Sequence, residues 1–163
     1  MPSFRTLQAL MVRYLRNMEF IPKTPRFREI IRDHLTRQEF MKHIGCELSV
    51  IEPGHVEAII DLARIHQQQI GLVHGGVTAT IADVAAGFAG FTLVGEDQHT
   101  VTAEIKISYF KKAVGQRLRA VGRVVKAGRS MHFCEADVFV ENNGTEELVA
   151  RATTTMAIIR ITE

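Results

Sequence analysis

One segment of the chain, from Gly75 to about Thr92, contains a single charged side chain, that of Asp83. Its alanine, threonine, valine and isoleucine residues continue without a turn signal, which predicts one long helix. A helix that is apolar nearly all round is stable only when it is buried. Gly87 and Gly90 weaken this helix intrinsically, but they also let a neighbouring backbone come close to it. The rest of the chain therefore has to cover this helix.

Six other segments have the alternating or β-branched pattern of strands: residues 46–52, 55–63, 100–110, 117–126, 131–141 and 147–159. In the third of them the alternation predicts one face formed by Val101, Ala103, Ile105, Ile107 and Tyr109. Short turns such as Pro53-Gly54 and Asn142-Asn143-Gly144 join neighbouring segments, so we expect antiparallel pairing. Two strands, one long helix and four more strands predict an α+β fold in which a sheet curls around the helix.

The N-terminal part of the chain has a basic bias. Residues 1–28 are rich in arginine and lysine against a single acid, Glu19, and their apolar side chains fall near helical spacing. This pattern predicts an amphipathic helix packed on the domain. An organelle-targeting segment and a membrane-surface helix are the alternatives.

A short helix is predicted just before the first strand. Thr36 is a suitable N-cap, and Glu39 follows three residues later, which is the capping-box pattern. This pattern predicts a helix over residues 36–44. We place the boundary between a helical extension, residues 1–40, and a single domain, residues 41–163, inside this segment.

Composition excludes several functional classes. With 163 residues, 46% of them hydrophobic, and a net charge of +2, the chain should fold, and its charge does not indicate nucleic-acid binding. No apolar run reaches the ~20 residues that span a bilayer, so we expect no stable membrane insertion. Cys46 and Cys134 have no metal or redox spacing, and we expect no metal or cofactor. We expect a cytoplasmic protein, or one of the mitochondrial matrix if the basic N-terminus is a targeting segment.

The start of the apolar helix has the features of a chemical site. The sequence His74-Gly75-Gly76 lies where backbone N–H groups lack partners and the helix dipole is positive. An N–H there can polarise a carbonyl oxygen, and His74 can orient the loop or the ligand. The alternative is that Gly-Gly forms an ordinary turn. Burying the charged carboxylate of Asp83 costs free energy unless a hydrogen-bond or charge partner compensates it. It is therefore either hydrogen-bonded to a neighbour or a base or nucleophile with a tuned pKa.

Gly75 and Asp83 are too far apart to act on one reacting carbonyl within a single chain. They are eight positions apart, which is roughly 12 Å along a helix. If the two groups cooperate, they come from two copies of the helix that run antiparallel. This predicts a two-fold symmetric dimer with two equivalent sites at its interface.

Three ordered motifs resemble those of a known family: "GLVHGGVTATIADVAAG", "TVTAEIKISYFKKA" and "ELVARATTTM". Across about residues 45–160 they are similar to the hot-dog-fold acyl-CoA thioesterases of the phenylacetyl-CoA thioesterase (PaaI-like) group. The resemblance implies a curled antiparallel sheet around the central helix, and a homodimer that is often doubled to a tetramer. It also implies hydrolysis of an acyl-CoA thioester to the free acid and CoA, without a metal.

The resemblance implies roles for individual residues. Gly75 gives its backbone N–H to the thioester oxygen, and the Asp83 carboxylate acts as base or nucleophile. Thr102, on the strand after the helix, corresponds to a hydroxyl near the attacking water. An amide that helps to place the carbonyl or the water falls on a glutamine where many members have asparagine: Gln68, or its neighbours Gln67 and Gln69.

Substrate contacts are expected along the helix and in the turn between two later strands: Gly76, Val84, Gly87, Phe88, Arg129 and Ser130. The phosphates of CoA attract basic side chains. Four are candidates for that contact, with solvated loop charge as the alternative for each: Lys111, Lys112, Lys126 and Arg129.

Two alternative functions stay open. One is a non-catalytic acyl-CoA sensor or binding protein, because a fold does not determine a function. The other is a hot-dog enoyl-CoA hydratase or dehydratase, in which His74 and Asp83 form an acid–base pair.

Overall fold

The computed structural model describes residues 20 to 161. The predicted long helix is present, with two strands before it and four after it in the sequence. The helices are α1 (Phe27–Thr36), α2 (Glu39–His43) and α3 (Gly75–Phe91). The strands are β1 (Cys46–Glu52), β2 (His55–Asp61), β3 (Gln98–Tyr109), β4 (Arg117–Ala127), β5 (Met131–Asn142) and β6 (Thr145–Arg160). A 3₁₀ turn, Arg64–His66, lies between β2 and α3.

One six-stranded sheet surrounds α3. The strand order is β1-β2-β4-β5-β6-β3, and every neighbouring pair is antiparallel. α3 contacts each of these strands and buries most of its length against them, including Ile81, Ala82, Ala85, Ala86, Phe88, Ala89 and Phe91. This curled sheet around a central helix is the hot-dog arrangement, and it confirms the predicted α+β fold.

Capping contacts define the two ends of α3. His74 has an extended backbone (φ −64°, ψ 134°), and its Nδ1 accepts a hydrogen bond from the Gly76 N–H at 2.9 Å. This bond satisfies one of the N–H groups that a helix start leaves without an intrahelical partner. At the other end, Thr92 Oγ1 donates to the Ala89 carbonyl at 2.6 Å and accepts from the Gly54 N–H at 2.7 Å. The second bond joins the helix end to the β1–β2 turn.

The predicted turn between β5 and β6 is confirmed. Asn143 and Gly144 have φ angles of 51° and 76°, and a two-residue type I′ turn requires positive φ at both central positions. Asn142 and Thr145 pair on either side of this turn. The turn chemistry therefore fixes the register of the hairpin.

The predicted helix over residues 36–44 is wrong in its bounds and in its cap. Thr36 is the last residue of α1, and its Oγ1 donates to the Asp33 carbonyl at 2.7 Å. Thr36 therefore belongs to the preceding helix and is not the N-cap of the next one. α2 begins at Glu39, and Gln38 before it makes no side-chain capping bond.

The predicted N-terminal helical segment is confirmed by α1, although the sequence pattern does not indicate the bounds of α1, because its few core residues stand among charged ones. Phe27 and Ile31 are 3% and 0% exposed, so α1 belongs to the same hydrophobic core as α3. The amphipathic helix predicted further upstream lies largely outside the described residues. None of the helices within residues 20–161 is long and apolar enough to cross a membrane.

Strand β3 contains a β-bulge that changes which side chains face α3. The register against β6 shifts after Thr102, so that Ala103 is an additional residue. Thr102 lies opposite the buried Met156 and faces α3, whereas Val101 faces away. The prediction that Val101 and Ala103 share one face with Ile105 is therefore wrong, because the bulge reverses the alternation.

Helix α3 packs directly on the backbone of β4 at Gly122. A Cβ atom at this position would overlap the carbonyl group of Ala85, which can move only if the helix moves. Gly87 on α3 is less restricted, because a Cβ there would be 3.6 Å from Met156 Cε, an ordinary contact. The two glycines therefore differ in what an added methyl group would cost.

We expect Gly122→Ala to lower the free energy of unfolding by about 2 kcal/mol, because the added methyl group forces α3 away from β4. Gly87→Ala is the matched control, and its better helix propensity should keep its stability within about 1 kcal/mol of the wild type. Urea denaturation measures both values. Equal unfolding midpoints for Gly122→Ala and the wild type would contradict the close helix–sheet contact.

Candidate active site

Asp83 lies on the side of α3 that faces strand β3. Its Oδ1 accepts a hydrogen bond from Thr102 Oγ1 at 2.8 Å. The Asp83 side chain is half-buried, and burial raises the pKa of its carboxyl above the usual value, while the hydrogen bond from Thr102 opposes this rise. A carboxyl with a raised pKa is suited to accept a proton or to attack an electrophile.

A cavity of about 130 Å³, which we call the Asp83 pocket, opens beside this carboxylate. It is lined by three of the residues predicted to contact substrate, Val84, Gly87 and Phe88. Five other residues, which no sequence motif indicates, complete its lining: Gln38, Phe91, His99, Thr100 and Met156. Gln38 immediately precedes α2, and the others come from α3, β3 and β6, so no local motif connects them.

A second cavity, of about 170 Å³, lies at the N-terminus of α3, and we call it the Gly75 pocket. The Gly75 N–H has no hydrogen-bond acceptor among residues 20–161. Tyr109 Oη donates to the Gly75 carbonyl at 2.9 Å and holds the helix start against the end of β3. A free N–H at the positive end of a helix is suited to stabilise negative charge that develops on an oxygen. Other residues of this lining are Gln68, Thr78, Lys111 and Lys112.

The structure distinguishes between the three candidate glutamines. Gln68 is half-buried and lines the Gly75 pocket, and its backbone N–H donates to the Leu72 carbonyl at 2.8 Å. Gln67 and Gln69 are exposed and do not line that pocket. Gln68 is therefore the amide that lies beside Gly75.

Several predicted residues lie outside both pockets. His74 and Gly76 are exposed and are joined to each other by the capping bond, so His74 fixes the start of α3. Arg129 and Ser130 are exposed in the turn between β4 and β5. Their contact with substrate stays a prediction, as does that of Lys126 near the end of β4.

The predicted catalytic residues thus form two groups on one chain. Asp83 and Thr102 share one pocket, and Gly75 and Gln68 share the other. Along α3 the two groups are separated by roughly 12 Å, the rise of eight helical residues. Each pocket contains only half of the predicted site.

The residues of both groups lie largely within a segment that matches a known family. Residues 70–147 match the family model of the thioesterase superfamily. The crystal structure of a thioesterase family protein from Silicibacter pomeroyi has a TM-score of 0.81 and 30% sequence identity, over 82% of this chain and 98% of that one. The chain belongs to the thioesterase superfamily.

Two curated relatives that are similar to this chain are also thioesterases by name. Proofreading thioesterase EntH of Klebsiella pneumoniae is 30% identical over 100 residues, 61% of this chain and 72% of that protein. Acyl-coenzyme A thioesterase 13 of Homo sapiens is 27% identical over 130 residues, 78% of this chain and 91% of that protein. The predicted enzyme class, a thioester hydrolase, is confirmed, and hydrolysis is favoured over the sensor and hydratase alternatives.

In this thioesterase, Thr102→Val should raise the pKa of Asp83 further, because it removes a hydrogen bond to the charged carboxylate. Thr100→Val is the matched control: the Thr100 hydroxyl donates to the Gly87 carbonyl, so its loss should leave the titration of Asp83 unchanged. The carboxyl carbon of Asp83, followed by NMR against pH, reports the titration midpoint. An unchanged or lower midpoint in Thr102→Val would contradict the Thr102–Asp83 contact.

Proposed function

We propose that this thioesterase hydrolyses an acyl- or aryl-CoA thioester to the free acid and CoA. The observation that carries the proposal is the pair of complementary groups on α3. The Gly75 N–H has no acceptor among the described residues, and the Asp83 carboxyl is half-buried with a raised pKa. The name of the human relative, an acyl-coenzyme A thioesterase, supports a CoA thioester as the substrate class.

The proposed reaction uses both groups. The thioester oxygen accepts the hydrogen bond from the Gly75 N–H, which stabilises the negative charge that grows as the carbonyl carbon is attacked. Asp83 either takes a proton from the water that attacks this carbon, or attacks it directly to form an anhydride that water then opens. In both routes the carbon–sulfur bond breaks, and the CoA thiolate leaves and takes up a proton. No metal or cofactor is required.

Three further residues position the reactants in this proposal. Gln68, half-buried beside Gly75, offers an amide that holds the carbonyl or the water. Thr102 keeps the Asp83 carboxylate in one orientation through its hydrogen bond. His74 acts indirectly, because the cap that it forms with the Gly76 N–H fixes the start of the helix.

The CoA portion is proposed to extend from the Gly75 pocket toward basic side chains. Lys111 and Lys112 line this pocket and supply positive charge for phosphate groups, although Lys111 also forms an ion pair with Glu147. Arg129 and Ser130 line neither pocket of their own chain. If they contact CoA, they do so from the second protomer of the dimer described next.

We propose a homodimer with shared active sites, which two such dimers extend to a tetramer. β3 pairs with β6 on one side only, and among the described residues its other edge has no partner strand. It carries exposed apolar side chains, Val101, Ile105 and Tyr109, and long apolar edge strands are uncommon in monomers. Antiparallel pairing of two β3 strands about a two-fold axis places two α3 helices antiparallel. Asp83 of one protomer then faces the N-terminus of α3 in the other.

Gly75→Pro tests the proposed role of the backbone N–H. Proline has no N–H but is favoured at the first position of a helix, and the extended backbone of His74 suits the residue before a proline. We expect kcat for acyl-CoA hydrolysis, measured by thiol release, to fall about 10²- to 10³-fold.

Gly75→Ala is the control for this variant, because alanine keeps the N–H. Its Cβ would be 3.5 Å from the Tyr109 ring, an ordinary contact, so the alanine variant should keep most of its activity. Equal activities of the proline and alanine variants would contradict the role of the N–H.

A further inference from the structure

The Asp83 pocket continues along α3 toward the N-terminal extension. Beyond Asp83, the Thr100 hydroxyl donates to the Gly87 carbonyl at 3.3 Å. One turn further, the His99 ring packs edge-on against Phe91, with ring centroids 5.0 Å apart. From Asp83 to Phe91 the helix rises by roughly 12 Å. The pocket therefore has the Asp83 carboxylate at one end and the rings of Phe91 and His99 at the other, which we call the aromatic end.

Residues of the extension close this aromatic end. His34 of α1 stacks on His99, with ring centroids 5.2 Å apart and 12° between the planes. It also meets the Phe91 ring edge-on at 5.1 Å. Gln38, which precedes α2, lines the pocket itself. His34 thus supports the end wall from behind, and Gln38 forms part of its surface.

The extension is held firmly in this position. Ile31 is fully buried in the core that it shares with α3. Arg28 Nε donates to the Ile51 carbonyl at 2.8 Å, and Thr24 Oγ1 donates to the Glu96 carboxylate at 2.6 Å. Because both contacts and the core packing would have to break for α1 to move, the end wall limits the length of the pocket.

The volume of the pocket limits the group that fits between Asp83 and the end wall. Its volume is about 130 Å³. An apolar cavity of about 150 Å³ in another protein binds benzene, so this space suits an acyl group of about six carbons. We infer that Gln38 is a specificity-determining residue that restricts this thioesterase to short acyl groups, and that His34 positions the His99 and Phe91 rings of the same end wall. The inference rests on the proposed function and adds the size class of the substrate.

Hydrolysis of hexanoyl-CoA and tetradecanoyl-CoA tests this inference through the ratio of kcat/KM for the long chain to that for the short one. For the full-length wild type we expect a ratio of about one tenth or less. Gln38→Ala opens the end wall and should raise the ratio about tenfold, whereas Gln38→Phe fills the pocket and should lower it. Phe40→Ala is the control, because Phe40 is exposed on α2 outside the pocket. It should leave the ratio unchanged.

The outcomes separate this inference from the proposed function. A wild type that hydrolyses both substrates equally well, or Gln38 variants that both keep the wild-type ratio, would overturn the inference and leave the proposed function intact. A wild type that releases CoA from neither substrate, nor from shorter and aryl-CoA thioesters, would overturn the proposed function and the inference together.

Discussion

The burial of α3 determines both the curvature of the sheet and the environment of the candidate site. A helix without a polar face needs cover on every side, and a sheet that curls around it provides that cover with one continuous surface. The contact is close enough at Gly122 that the helix packs on bare backbone. The same burial acts on the one charged group of the helix, because it raises the pKa of Asp83. Stability and chemical reactivity thus have a common physical origin in this fold.

The length of α3 has a second consequence. The Gly75 N–H at the helix start, which has no acceptor within residues 20–161, and the Asp83 carboxylate open into different pockets of one chain. A thioester carbonyl is smaller than the distance between them, so the proposed chemistry requires two copies of the helix. The apolar edge of β3 supports the association that would bring these copies together. The proposed catalysis therefore depends on the assembly of two chains.

Much of the fold could be predicted because local chemistry determines it: the apolar pattern of α3 and the Asn143-Gly144 turn are both local signals. The cap that His74 forms at the start of α3 was not predicted, because histidine is not a usual N-cap residue. The side chains that each face of β3 presents could not be predicted, because the bulge at Ala103 is fixed by pairing with β6. The same bulge places Thr102 toward α3. The end of the Asp83 pocket was also beyond prediction, since tertiary packing brings Gln38 to it from a distant part of the sequence.

A complementation experiment tests whether each active site is shared between two chains. We expect Asp83→Asn and Gly75→Pro chains to be almost inactive when each is expressed alone. The two chains are co-expressed with different affinity tags, and the mixed dimer is isolated. One of its two sites then combines an intact Asp83 with an intact Gly75 from the other chain, so we predict about half of the wild-type activity per dimer. A mixed dimer as inactive as either parent would contradict the shared site.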